Sequence, residues 1–198
     1  MDLQQDILDA YTDLLGYIGV SEEEIRSGAL KALVAGTSKY IRDTKYNLRT
    51  LLENDVLTKK ESALVALSIA INEKNDLLIK AFTQKARAEE ATDAEIGEVY
   101  ACTSLLGINN VFYRFRHFSA NKEYDSMPAK LKMNIMMSPV LGKEFFEILS
   151  LAVSAVNGCE VCVASHEQSV RNHGGTQERI FTAIRISAVV KGLSPILY

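Results

Sequence analysis

The scarcity of proline constrains this chain more than any other feature. Its 198 residues hold three prolines, at positions 128, 139 and 195. The long stretch before Pro128 therefore contains no residue that locks φ and removes a backbone donor. It is rich in Ala, Leu, Glu and Lys, which favour the helix. No run alternates apolar and polar positions in the way a half-buried strand demands. The expectation is an all-α chain.

Helix boundaries follow from cap signals and apolar spacing. Residues 2–18 predict a first helix, with Leu3, Ile7, Tyr11, Leu14 and Leu15 on one stripe. Ser21 followed by Glu24 has the capping-box pattern and predicts a helix to about residue 35. A third helix is expected over 37–53, charged on one side through Lys39, Arg42, Asp43 and Lys45. Thr58 with Glu61 and Thr92 with Glu95 are further boxes. They predict helices over 58–71 and 92–106, the latter ended by Gly107, with a helix at 76–90 between them. Segment 119–127 reads as a loop, and Pro128 as the start of a short helix to about Met137. Helices at 142–156, 158–172 and 176–191 complete the chain, the last ended by Gly192.

The two ends of the chain resemble each other. KESALVALSIAINEKND at 60–76 overlays KEFFEILSLAVSAVNG at 143–158 when Leu67 is placed on Leu149 and Ser68 on Ser150. The offset of 82 puts Val65, Leu77, Lys80 and Gln84 opposite Glu147, Cys159, Cys162 and His166. This predicts one helical domain with an internal helix–turn–helix duplication. The N-terminal half, about 1–120, is a scaffold, and the functional half spans about 138–198.

Composition narrows the function classes. The balance of 47% hydrophobic and 24% charged residues is that of a globular protein. A net charge of −3 gives no clustered basic surface for a nucleic acid. The aromatic, basic segment 112–118 (FYRFRHF) has Phe112, Phe115 and Phe118 at helical spacing and reads as a packed helix edge, with His117 structural. No apolar run approaches the roughly 20 residues that span a bilayer. The acidic start MDLQQD lacks the positive region of a signal peptide. The expectation is a soluble, cytoplasmic protein. Without a phosphate-cradling glycine loop or dinucleotide fingerprint, no cofactor is expected.

One stretch concentrates chemistry. Between residues 147 and 166 the spacing is E-x11-C-x2-C-x3-H, made by Glu147, Cys159, Cys162 and His166. On a helix Cys162 and His166 share a face. A C-x-x-C pair in a reducing compartment is more often redox-active or metal-binding than structural. Three ligands on one helical stretch fit poorly with structural zinc, which usually draws ligands from two separate pieces. Cys102, alone in an apolar segment, reads as a buried core residue. Glu147 lies among apolar neighbours, and a buried carboxylate needs a partner. It is placed to orient His166 or to accept its proton. Helix-start logic favours Cys159 as the more acidic thiol, whereas the i to i+4 relation with His166 belongs to Cys162. The residues by themselves leave this choice open.

The same four residues match the signature of the alkyl hydroperoxidase D (AhpD-like) group of the carboxymuconolactone decarboxylase superfamily. The segment Asn109-Asn110-Val111-Phe112-Tyr113-Arg114-Phe115-Arg116 also resembles that group. The resemblance implies a helical, internally duplicated homo-oligomer, trimers among the forms, that reduces hydroperoxides to alcohols. Recycling would come from a lipoyl-bearing or other dithiol protein, and a peroxiredoxin could be served in turn. By resemblance Cys162 is the peroxide-attacking thiol and Cys159 the resolving one, with His166 and Glu147 in the proton relay. Where well-studied members carry a relay histidine just before the second cysteine, this chain has Val161. The alternative is a disulfide-exchange partner with little peroxide turnover. The superfamily's decarboxylase chemistry gives no evident task to paired cysteines, and an inert scaffold predicts that replacing them changes no activity.

Overall fold

The computed structural model describes residues 2–119 and 121–198. Met1 and Ala120, the latter inside the expected 119–127 loop, lie outside the described residues. Ten α-helices are found among those described: α1 (Leu3–Ile18), α2 (Ala29–Ala35), α3 (Tyr40–Leu52), α4 (Lys59–Asn72), α5 (Asp76–Ala88), α6 (Asp93–Phe118), α7 (Glu123–Ser126), α8 (Lys143–Val156), α9 (Glu160–Asn172) and α10 (Gln177–Leu193). The all-α expectation holds, with no strand among the described residues.

Two helices form the centre. α4 buries every residue from Ser62 to Ala70, and α8 every residue from Phe145 to Ser154. A helix apolar on all sides must be surrounded. α4 and α8 pack on each other, and both contact α6 and α10. α5 covers α4 and α9 covers α8. Buried residues from both ends of the chain join one apolar cluster, from Ile7 and Leu14 to Ile186 and Leu197.

The cap signals explain most boundaries. The boxes at Thr58/Glu61 and Thr92/Glu95 form, each side chain bonded to the other residue's backbone N–H. The box at Ser21/Glu24 also forms but closes only a 3-10 turn, Glu22–Glu24. The predicted helix to residue 35 is interrupted because Ile25 is extended and buried. The Arg26 and Ser27 amides donate to the Tyr198 carbonyl instead of continuing the helix. Ser27 Oγ then accepts from Ala29 N at the start of α2.

Two further boundaries differ from expectation. α6 runs through Gly107 to Phe118, so Gly107 does not end it. A glycine inside a helix costs about 1 kcal/mol relative to alanine. Buried Leu106, Asn109 and Asn110 on the flanking turns hold the helix across it. Pro128 opens no helix: 128–133 is irregular, and only a 3-10 turn, Asn134–Met137, follows. Glu98 on α6 organises the end of that segment by accepting from Val140 N and Leu141 N, each at 2.7 Å.

The second set of three helices repeats the backbone pattern of the first at a constant spacing of 84 residues. The starts pair as 59 with 143, 76 with 160, and 93 with 177. The N-caps Asn75 and Cys159 have nearly equal dihedrals, φ −95, ψ 94 and φ −98, ψ 91. The turns before them place Lys74 and Gly158 at φ 56 and 68. The offset of 82 read from the sequence is therefore two residues short. In the observed register Glu147, Cys159, Cys162 and His166 stand opposite Ala63, Asn75, Leu78 and Phe82.

Candidate functional site

The four residues singled out from the sequence come together where α8, α9 and α6 meet. Glu147 lies one turn into α8, buried to 6% exposure. Its Oε2 is 2.6 Å from Nδ1 of His166, itself 8% exposed, on α9. A carboxylate at Nδ1 fixes the imidazole's orientation and tautomer, leaving Nε2 for other work. Neither group is an isolated buried polar atom: each satisfies the other.

Cys159 and Cys162 are joined by a disulfide, with their Cα atoms 5.3 Å apart. Cys159 caps α9 and is fully buried, while Cys162 occupies the first turn at 6% exposure. No side chain caps the first-turn amides of α9. That helix end thus keeps its positive character close to both sulfurs.

A cavity of about 360 Å³ opens on this arrangement, lined by Asn109, Tyr113, Met133, Met136, Val161, Cys162, Ser165 and His166. Cys162 reaches it and Cys159 does not. The cavity thus meets one sulfur of the disulfide and the imidazole held by Glu147. Val161, at the position before Cys162, contributes an apolar wall. Among the described residues no group of three or more His, Cys, Asp or Glu is placed to hold a metal ion, and no helix is long and apolar enough to cross a membrane.

The turn that delivers the cysteines is held by α6. Arg114 Nη1 donates to the Asn157 carbonyl at 2.6 Å. Asn157 Nδ2 donates to Asn110 Oδ1 at 2.9 Å, and Asn110 Nδ2 donates to Ser154 Oγ at 2.9 Å. Asn72 at the end of α4 donates to Asn157 Oδ1 at 3.0 Å. These residues carry the site's geometry, and reasoning on chemical groups alone missed them. The signal was present in the paired Asn109-Asn110, polar residues in an otherwise apolar stretch.

The same segment reverses the expected packing of its aromatics. Phe115 and Phe118 are 50% and 71% exposed, Phe115 with its ring against Tyr124 at 5.0 Å between centroids, while Asn109 and Asn110 are buried. Asn110 faces inward because the cysteine turn presents groups that need hydrogen-bond partners. His117 contacts Glu160 at 3.4 Å on the surface. Cys102 is a fully buried free thiol, as expected. Burial pushes it up to about 12, against a hydrogen bond from Ser150 that lowers it. Fully buried and outside the cavity lining, it has the surroundings of a structural thiol.

The carboxymuconolactone decarboxylase family pattern matches residues 122–197. The chain is 40% identical to alkyl hydroperoxide reductase AhpD of Maricaulis maris over 172 residues, covering 85% of this chain and 97% of the relative. It is 40% identical to the protein of the same name from Anaeromyxobacter dehalogenans, covering 82% and 87%. A third such protein, from Rhizorhabdus wittichii, is 36% identical, covering 85% and 96%. Among solved structures, a protein described as a gamma-carboxymuconolactone decarboxylase subunit from Burkholderia xenovorans superposes with a TM-score of 0.67. The match covers 96% of this chain and 94% of that one at 14% identity, a likeness of fold alone.

Proposed function

The chain belongs to the AhpD-like branch of the carboxymuconolactone decarboxylase family, and from that premise we propose that it is a thiol-dependent alkyl hydroperoxide reductase. The observation that carries the reading is the placement of Cys162. It lines the cavity, is bonded to a fully buried Cys159, and shares the cavity wall with the His166 that Glu147 holds.

In the reduced protein, His166 accepts the Cys162 proton through Nε2. The α9 N-terminus favours the resulting thiolate. The thiolate attacks the terminal oxygen of ROOH. An S–O bond forms, the O–O bond breaks, and the electron pair leaves on the RO oxygen, which takes the proton from His166. Cys162 is now a sulfenic acid. The Cys159 thiol displaces its oxygen as water and closes the disulfide. Two thiols and one hydroperoxide thus become a disulfide, an alcohol and water. An external dithiol, such as a lipoyl-bearing subunit, restores the thiols by exchange, and a peroxiredoxin is a further candidate partner. On this reading the reacting thiols and their relay lie in residues from about 138, and the N-terminal half is scaffold that supplies part of the cavity wall. The open apolar face of α6, with Ile108, Val111 and Phe115 each at least half exposed, supports a homo-oligomer.

Val161 favours a second reading, disulfide exchange with a protein partner, because an apolar wall carries no proton to the leaving oxygen. One experiment separates the two. Pre-reduced protein is mixed with one equivalent of cumene hydroperoxide, without added thiol, and peroxide and free thiol are followed together. The peroxidase reading expects peroxide and two thiols to disappear together in the wild type and not in Cys162→Ser. Peroxide that persists, while the disulfide still exchanges with dihydrolipoamide, would sink it in favour of the exchange reading.

A further inference from the structure

The cavity wall contains one buried polar group that neither the proton relay nor the turn clamp uses. Asn109 is 4% exposed and borders the cavity together with Cys162 and His166. Its Oδ1 has no protein partner. Its Nδ2 reaches only Met133 Sδ, at 3.2 Å, and a thioether is a weak acceptor. Turning the carboxamide over does not improve this, since the two ends exchange places and one still meets only a thioether.

The next residue on α6 shows what a structural asparagine looks like at this site. Asn110 has both ends paired, Nδ2 to Ser154 Oγ and Oδ1 from Asn157 Nδ2, each at 2.9 Å. The same side chain, one position away and equally buried, is complete. Buried polar atoms in native chains are nearly always satisfied, and an exception calls for a use.

We infer that Asn109 binds the hydroperoxide, resting on the peroxidase reading above. A carboxamide presents an acceptor and a donor side by side, and a hydroperoxide presents a terminal O–H beside an oxygen that bears the organic group. Oδ1 accepts from the terminal O–H, and Nδ2, released from Met133, donates to the adjoining oxygen. That oxygen receives the electron pair as the O–O bond breaks, so the donor meets negative charge where it develops. Met133 and Met136 are unbranched and flexible, so they yield to the organic group and then pack against it. The site thus grips the O–O–H unit through Asn109 and leaves the terminal oxygen open to Cys162.

The test uses the reduced full-length protein and two oxidants. Cumene hydroperoxide oxidises the thiol pair through an O–O bond. Oxidised lipoamide oxidises the same pair by exchange and has no O–O–H for the amide to hold. Single-turnover rates are measured for wild type, Asn109→Leu and Asn109→Ala. Leucine keeps the volume, and alanine guards against a misfit that prevents folding. The expected result is a loss of roughly 10²-fold with the hydroperoxide, while the lipoamide rate stays within about twofold. Equal slowing with both oxidants would assign Asn109 a structural role, and an unchanged peroxide rate would remove it from the reaction. Either outcome overturns the inference while wild-type turnover leaves the peroxidase reading standing. A wild type that consumes no peroxide overturns both.

Discussion

The helical pair α4–α5 and the pair α8–α9 have helices of equal length at the same spacing and opposite contents. In the first, Ala63, Leu78 and Phe82 are ordinary core, 4%, 0% and 0% exposed. In the second, the corresponding positions hold Glu147, Cys162 and His166, at 6%, 6% and 8%. The caps differ likewise. Asn75 accepts from Leu78 N at 2.9 Å and donates to the Ser194 and Leu197 carbonyls, whereas Cys159 has no capping bond. The fold thus offers one buried location twice. It is filled with apolar side chains in the first pair, and with a carboxylate, a disulfide sulfur and an imidazole in the second. Burial does for the second pair what it does for the first, excluding water, and thereby strengthens the interactions among the polar groups it surrounds.

A charge pair at the start of the helices shows the same substitution logic. Lys60 on α4 bonds Glu95 on α6 at 2.8 Å. At the corresponding positions Glu144 on α8 bonds Arg179 on α10 at 2.9 Å, with the signs exchanged. Only the second pair goes further: Arg179 also holds Glu61 of α4 at 2.6 Å and so ties the two halves together.

The largest expected effect comes from giving the second pair the contents of the first. The double variant Glu147→Ala with His166→Phe should lower peroxide turnover by roughly 10²- to 10⁴-fold, the range for losing general acid–base groups. Its stability should hold or rise slightly, because replacing both partners of a buried hydrogen-bonded pair by apolar groups is often neutral or favourable. Glu147→Ala alone should instead cost about 1–3 kcal/mol, since it leaves His166 unpartnered. Urea unfolding beside a turnover assay checks both; a double variant less stable than the single would break the equivalence of the two pairs.

A smaller effect is expected at the tie between them. Burial acts to raise the Glu61 carboxyl, but hydrogen bonds from Arg179 and from the Thr58 backbone hold it below its ordinary 4.5. A depressed folded pKa means stability that is present above 4.5 and lost as pH falls through the lowered value. Arg179→Met should therefore cost about 2 kcal/mol near neutral pH. The gap to wild type should narrow as pH drops below 4.5. Denaturation midpoints across that range test this, and a gap independent of pH would remove the carboxylates from the account.

The smallest effect concerns the turns. Lys74 and Glu90 have left-handed dihedrals, φ 56 and 62, where the second set has Gly158 and Gly174, φ 68 and 88. A side chain in that region costs about 1–2 kcal/mol. Lys74→Gly should return part of this, up to about 1 kcal/mol after the added entropy of the unfolded glycine. A thermal midpoint that falls instead would show that Lys74 makes a contribution beyond its backbone.

Much of this molecule is legible in the order of its residues. Helical class follows from missing prolines and apolar spacing, and the starts of α4 and α6 from the short-range cap chemistry of Thr58 and Thr92, all of it local. The motif from Glu147 to His166 is equally visible, since thiols at i and i+3 and an imidazole at i+4 from the second are brought together by one helix. Tertiary packing decided the rest. Gly107 lies inside α6 because buried neighbours on either side outweigh a local preference worth about 1 kcal/mol. The helix expected after Ser21 breaks because the carbonyl of Tyr198, at the far end of the chain, takes the amides of Arg26 and Ser27. The register of the repeat is 84 rather than 82 because turns and caps fix it, and apolar runs slide past one another without penalty in sequence. Asn110 and Arg114 acquire their tasks from a turn over forty residues downstream. Local free energies are readable along the chain; the partners of a buried polar group are chosen across it.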